Sequence, residues 1–217
     1  MLSLLDPLVA LLHSALVHLA AVLPGSHDLR VVLALVLLTV ALRAALLPLS
    51  IRTHRAMASK KLLAPEIARI QKRCGNDRKR LATELNGAYR RAGISPLAGM
   101  GAMLLQLPGP VLLYRLVTAP ANVLATASLW GTPLSVHWLP ALSAGGGPVL
   151  LCLLLLTGLL VVAHLQARTL TEGPRLIRLL PYGSVAGAAL APVAFTVYLL
   201  TSTTWSLAER AILPRLA

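Results

Sequence analysis

Acidic residues are scarce in this chain. Seven Asp and Glu stand against 20 Lys and Arg in 217 residues, a formal net charge of +13. Charge of either sign is also scarce, at 12% against about 25% in an average globular protein. With 57% apolar residues and a mean hydropathy of +0.76, that shortage argues against a soluble domain. It argues equally against disorder, which requires low hydrophobicity. Cysteine is limited to Cys74 and Cys152, too few for a disulfide framework or a metal cluster. No metal site and no cofactor are expected. The positive balance alone would fit nucleic acid or an anionic membrane surface. The hydropathy favours the membrane.

A spanning helix needs about 20 mostly apolar residues. Residues 31–51 meet that length with one charge, Arg43. Residues 96–117 also meet it, with Gln106 inside, and residues 148–166 form the strongest run. The apolar stretch 176–213 is too long for one helix. It divides at Ala191-Pro192, because proline disfavours helix at the residue before it. Spans are therefore expected at 176–190 and 193–212. The fold class is all-α, a polytopic membrane protein with five transmembrane helices spread over residues 25–213.

Residues 1–24 differ. Ser3, Asp6, His13, Ser14 and His18 fall mostly on one side of a helical wheel, and leucines occupy much of the rest. An amphipathic helix lying in the interface accounts for this pattern. A signal peptide accounts for it less well, because the stretch begins with no Lys or Arg. Residues 52–95 hold 12 of the 20 basic residues. The positive-inside rule then places 52–95 in the cytoplasm, the N-terminus outside and the C-terminus inside. The loop 119–147 is expected outside, with Trp130 and Trp138 at the headgroup level.

The segment 52–95 reads as a helical hairpin. Leu63, Ile67 and Ile70 make one narrow apolar stripe; Leu81, Leu85 and Ala88 make another. Between them, Gly75 suits a helix C-terminus and Asp77 an N-cap. The outer faces carry Lys60, Lys61, Arg69, Lys72, Arg73, Arg78, Lys79 and Arg80. Anionic lipid would attract such a face, by about 1 kcal/mol per basic residue. So would an anionic partner such as ribosomal RNA or an acidic protein. No nucleic-acid-binding motif appears, so sequence-specific recognition is not expected.

The charge inside the first span is the most informative residue. Arg43 lies eight residues from residue 51, about 12 Å deep at about 1.5 Å per residue. A central arginine costs about 2.5–3.5 kcal/mol on insertion scales, so it should face protein or water. Gln106, Thr157, Ser184 and the run Thr201, Ser202, Thr203 and Thr204 fall at similar depths in the other spans. No carboxylate lies at that depth. A hydrophilic groove open to the cytoplasm follows, lined also by Thr39 one turn before Arg43.

These residues resemble the YidC/Oxa/Alb family of membrane protein insertases. "LRAALLPLS" from Leu42, "LAPEIARIQKR", "NDRKRLATEL", "YRRAGISPLAG" and "LLQLPGPVLLY" are similar to its first span, hairpin and second span. "LLPYGS" and "APVAFTVYLLTSTTW" are similar to its last two spans, with Tyr198 in place. The family's usual Asn-Pro is Ser95-Pro96 here, and the C-terminus is short. The resemblance implies an insertase and folding chaperone of the bacterial plasma membrane, without covalent chemistry. It implies a groove in which Arg43 attracts acidic residues of nascent membrane proteins while Gln106 and the Ser/Thr groups offer hydrogen bonds. Partners it implies are the lipid bilayer, the Sec translocon and the ribosome or signal recognition machinery, with the hairpin as a mobile receiving element.

A small-solute transporter or channel is the alternative, since intramembrane arginines also mark substrate pathways. Five spans without an internal repeat argue against it. An intramembrane protease using Ser184 and His164 lacks the G-x-S-x-G motif.

Overall fold

The computed structural model describes residues 6–75, 77–93, 108–119, 122–143, 145–169 and 175–212. The chain is mostly helical and divides into two compact units. One comprises Met1–Ala45 and Gly109–Ala211; the other comprises Leu46–Pro108 and Ile212–Ala217.

In the first unit, α1 (Asp6–Val22) packs on α2 (His27–Ala45). Next come α5 (Pro108–Thr118), α6 (Val123–Thr126) and a minimal hairpin of β1 (Ser128–Leu129) and β2 (Thr132–Pro133). The strands are antiparallel, with Leu129 opposite Thr132. Then follow α7 (Trp138–Ser143), α8 (Gly146–Thr169), a 3-10 segment (Arg175–Tyr182), α9 (Gly183–Leu190) and α10 (Val193–Ile212). Leu16, Val31, Leu35, Leu113, Leu116, Leu151, Val193 and Val197 meet in one core. Leu16, Leu35 and Val193 are fully buried there.

Among the described residues one helix, α8, is long and apolar enough to cross a membrane by length and composition. Asp28, Arg30 and Arg43 keep α2 short of that measure. The polar run 201–204, with Glu209 and Arg210, does the same for α10. The helix carrying the first expected span also ends early. It stops at Ala45 rather than 51, and α3 (Leu47–Cys74) begins immediately after Leu46. Pro48 explains the break: it lacks an N–H to donate and suits the first turn of a new helix. The break at Ala191-Pro192 falls between α9 and α10. The stretch expected as a fourth span is half 3-10 helix, with Pro181 inside it. Most of the second expected span lies outside the described residues.

The segment 122–138 is not a loose loop. Asn122 caps α6 by accepting from the Ala125 amide at 2.9 Å, and its own amide donates to the Val117 carbonyl at 3.1 Å. Asp28 accepts from the Ser128 amide at 2.8 Å and from its hydroxyl at 3.1 Å. The amides of Val193 and Ala194 donate to the carbonyls of Val136 and Leu134 at 3.0 and 2.9 Å. Those amides open α10 and have no intrahelical acceptor, so the segment completes the helix terminus. Trp138 is buried and its indole N–H donates to the Thr196 hydroxyl at 3.0 Å. Trp138 is thus a core residue and not a headgroup anchor; Trp130 is exposed.

In the second unit, α3 and α4 (Arg78–Arg91) form the hairpin. Gly75 adopts φ 53°, a left-handed value that glycine takes without strain, and ends α3. Asp77 accepts from the Arg80 amide at 3.1 Å and caps α4. Replacing Asp77 by alanine should cost α4 about 1 kcal/mol, read as faster amide hydrogen exchange across residues 78–91. Ile70, Cys74 and Ala88 are buried between the helices, with Leu63, Leu81 and Leu85 against them. Cys74 is therefore part of the apolar stripe, one turn beyond Ile70. Burial is the main cause that raises its thiol pKa, and Glu84 adds to it. In a Cys152→Ala background at pH 8, Cys74 should react with maleimide far more slowly than a free cysteine. Denaturant should abolish the difference.

Candidate functional site

The site is built from α2 and α10 of the first unit. Arg43 lies in the last turn of α2, where the helix carbonyls favour a cation. Its Nε donates to the Ser202 Oγ at 3.0 Å, and one terminal guanidinium nitrogen donates to the same oxygen. Ser202 is nine residues into α10 and 2% exposed. Tyr198, one turn earlier, is also buried and lies close to both Ser202 and Arg43. Its ring is tilted against Phe195, centroids 5.5 Å apart, and Phe195 meets Tyr114 of α5 edge-on at 5.6 Å. A Cβ on Gly109 would come within 3.7 Å of the Tyr198 hydroxyl, so α5 approaches closely there.

Among the described residues, no carboxylate pairs with Arg43. Ser202 is a neutral acceptor, so it brings no opposite charge to the guanidinium. Two of its five N–H donors are committed to Ser202. Chemically this is a held, half-buried cation able to accept an anionic partner.

The other expected groove residues are placed variously. Thr39 is buried, and its hydroxyl donates to the Leu35 carbonyl in its own helix. Thr201 donates likewise to the Val197 carbonyl. Thr157 lies on the exposed surface of α8. The Ser184 hydroxyl donates to the Pro181 carbonyl at 2.7 Å. His164 pairs with the Tyr182 hydroxyl at 3.1 Å, so Ser184 and His164 have different recorded partners. Gln106 lies outside the described residues. The structure thus brings Arg43, Tyr198 and Ser202 together. It also adds a residue that spacing alone did not single out: Gln166 of α8 is buried and donates to the Thr203 carbonyl of α10 at 2.8 Å.

On the hairpin, Arg69, Lys72, Arg73, Arg78, Lys79 and Arg80 are exposed. The side chains of Lys60 and Lys61 lie outside the described set. Arg80 pairs with Glu84 and Arg91 with Glu66, both at 3.1 Å. The Arg80 guanidinium holds the Glu84 carboxyl below its ordinary pKa. Exposed pairs of this kind contribute little to stability. They leave most of the basic face open.

Residues 24–217 match the family model described as 60Kd inner membrane protein. The Membrane protein insertase YidC of Aliivibrio salmonicida is 28% identical over 168 residues, 77% of this chain and 28% of that protein. Its namesake in Dechloromonas aromatica is 36% identical over 81 residues, 37% of this chain and 15% of that protein. That of Marinobacter nauticus is 37% identical over 81 residues, 37% of this chain and 14% of that protein. The chain covers less than a third of the length of each of these relatives. The match takes in the Arg43 helix, the basic hairpin and the Ser202 helix, and the chain belongs to the 60Kd inner membrane protein family, that of YidC, Oxa and Alb.

Proposed function

We propose that this chain is a membrane protein insertase and folding chaperone of the bacterial plasma membrane, working without covalent chemistry. In this reading it crosses the bilayer five times, N-terminus outside and C-terminus inside. The observation that carries the proposal is Arg43: a half-buried guanidinium held by a neutral hydroxyl at mid-length of α10. A cation with no carboxylate partner among the described residues, set among apolar helices, is costly, which marks it as a functional residue by default. Here it would attract acidic residues in the polar tail of a nascent membrane protein. Thr39, Gln106, Thr157, Ser184, Tyr198, Thr201 and Ser202 would line the groove around it. A wet groove lowers the cost of moving polar groups part-way across. Burial of the substrate's apolar segment in lipid then drives the step. The basic face of the hairpin, with Lys60 and Lys61, would dock the Sec translocon and the ribosome or signal recognition machinery by charge.

The test is reconstitution. Purified protein in vesicles should insert a single-span substrate with an acidic tail, scored by protection of the tail from added protease. Insertion no greater than in protein-free vesicles would refute the reading.

A further inference from the structure

The two helices that hold the Arg43 site are joined unequally along their length. At one end they are locked. Asp28, in the first turn of α2, engages Ser128 with both carboxylate oxygens. The same segment supplies the carbonyls of Leu134 and Val136 to the opening amides of α10, and Trp138 to Thr196. Most of these contacts are buried or use a backbone group, and several must break together for the ends to part. Further along, Leu35 and Leu38 of α2 and Val197 and Tyr198 of α10 belong to the same buried core, and beyond them comes the last turn of α2. There the described polar link between α2 and α10 is the pair Arg43–Ser202.

The second half of α10 is also softened. Thr201, Thr203, Thr204 and Ser206 each donate a hydroxyl to the carbonyl four residues back. Such back-bonding competes with the helix ladder and favours bending. Ser202 lies within this run, with its oxygen accepting from Arg43.

We propose that Ser202 is the positioning residue of Arg43 and that their contact is a latch, opened when a carboxylate of the incoming chain takes the guanidinium. The argument rests on the insertase reading for the identity of that carboxylate. A carboxylate offers the guanidinium an opposite charge and two acceptor oxygens for a bidentate pair, which one neutral hydroxyl does not. Capture of the substrate therefore withdraws Arg43 from Ser202. The last turns of α2 then separate from the middle of α10, while the Asp28 and Trp138 ends stay fixed as the hinge. One event would both bind the tail and widen the space that receives it. An aspartate in place of Ser202 would bind Arg43 as an ion pair and hold the latch shut.

Distances between spin labels test this in the full chain, reconstituted in vesicles with Cys74 and Cys152 replaced by alanine. Labels at the exposed positions Ala44 and Ala208 report the latch end; labels at Leu29 and Leu190 report the hinge end. Ser202→Ala should lengthen and broaden the latch-end distance without any substrate. Ser202→Thr, which keeps the hydroxyl, should restore it. In the otherwise unchanged protein, a soluble peptide carrying glutamate should produce the same lengthening and its glutamine counterpart none. Ser202→Asp should abolish the response. The hinge-end distance should stay constant throughout. Equal latch-end distances with and without the Ser202 hydroxyl would overturn the latch, as would equal lengthening at both ends. If Ser202→Ala lengthens the distance but the glutamate peptide does not, the latch stands and the capture role of Arg43 fails.

Discussion

Replacing Arg43 by alanine should lower insertion of acidic-tailed substrates about tenfold to a hundredfold, the equivalent of about 1.5–3 kcal/mol for hydrogen bonds to a charged group. The fall should be confined to such substrates; neutral tails should insert at close to the original rate. Arg43→Lys should recover most of the loss, because it keeps the charge. It should not recover all of it, because an ammonium lacks the planar fork that reaches Ser202 through two nitrogens. Folding should not confuse the comparison. When Arg43 is removed, the Ser202 hydroxyl can turn to the carbonyl four residues back, as its neighbours Thr201 and Thr203 already do. Thermal stability of the alanine variant in detergent provides the control. Normal insertion of acidic tails by a stable Arg43→Ala protein would eliminate charge capture.

The second large effect concerns stability. Trp138→Ala should destabilise the protein by about 3–5 kcal/mol, as expected for emptying a buried aromatic site. The indole is 5% exposed and belongs to the main core. Its loss also leaves the buried Thr196 hydroxyl without its partner. Trp138→Phe separates the two terms, keeping most of the volume while removing the donor, and should cost about 1–3 kcal/mol. Trp130, 53% exposed, should tolerate alanine within about 0.5 kcal/mol. Denaturation curves in detergent micelles distinguish these outcomes. Equal tolerance at 130 and 138 would mean that both rings sit outside the core.

The two tryptophans show where sequence and fold part company. Both occur in a loop rich in proline and glycine between apolar runs, and composition cannot separate a headgroup anchor from a core residue. The difference is made by Thr196, 58 residues away. The Arg43–Ser202 contact spans 159 residues and was equally out of reach. Depth counting puts both residues in one layer with Thr157, which is exposed on α8. Local chemistry was more legible. Proline at 192 marked a helix boundary because it restricts the residue before it. Gly75 and Asp77 marked a turn because each supplies what a helix end lacks. Pro48 carried the same kind of signal for the break after Ala45. The apolar run continues through it and hides the break. Cys74 lies one helical turn beyond Ile70, so the same period puts both on the buried face.

The 3-10 segment before α9 bears on bilayer thickness. Arg175–Tyr182 and Gly183–Leu190 contribute eight residues each. Wound as α-helix throughout, they would reach roughly 24 Å, short of a hydrocarbon core of about 30 Å. The 3-10 half rises about 2.0 Å per residue, which extends the reach to roughly 28 Å. In the five-span reading, this short element matches the membrane by overwinding rather than by added residues. Its hydrogen bonds are the poorer for it. Thinning or thickening the surrounding lipid should therefore be felt first here, beside the His164–Tyr182 contact that ties the segment to α8.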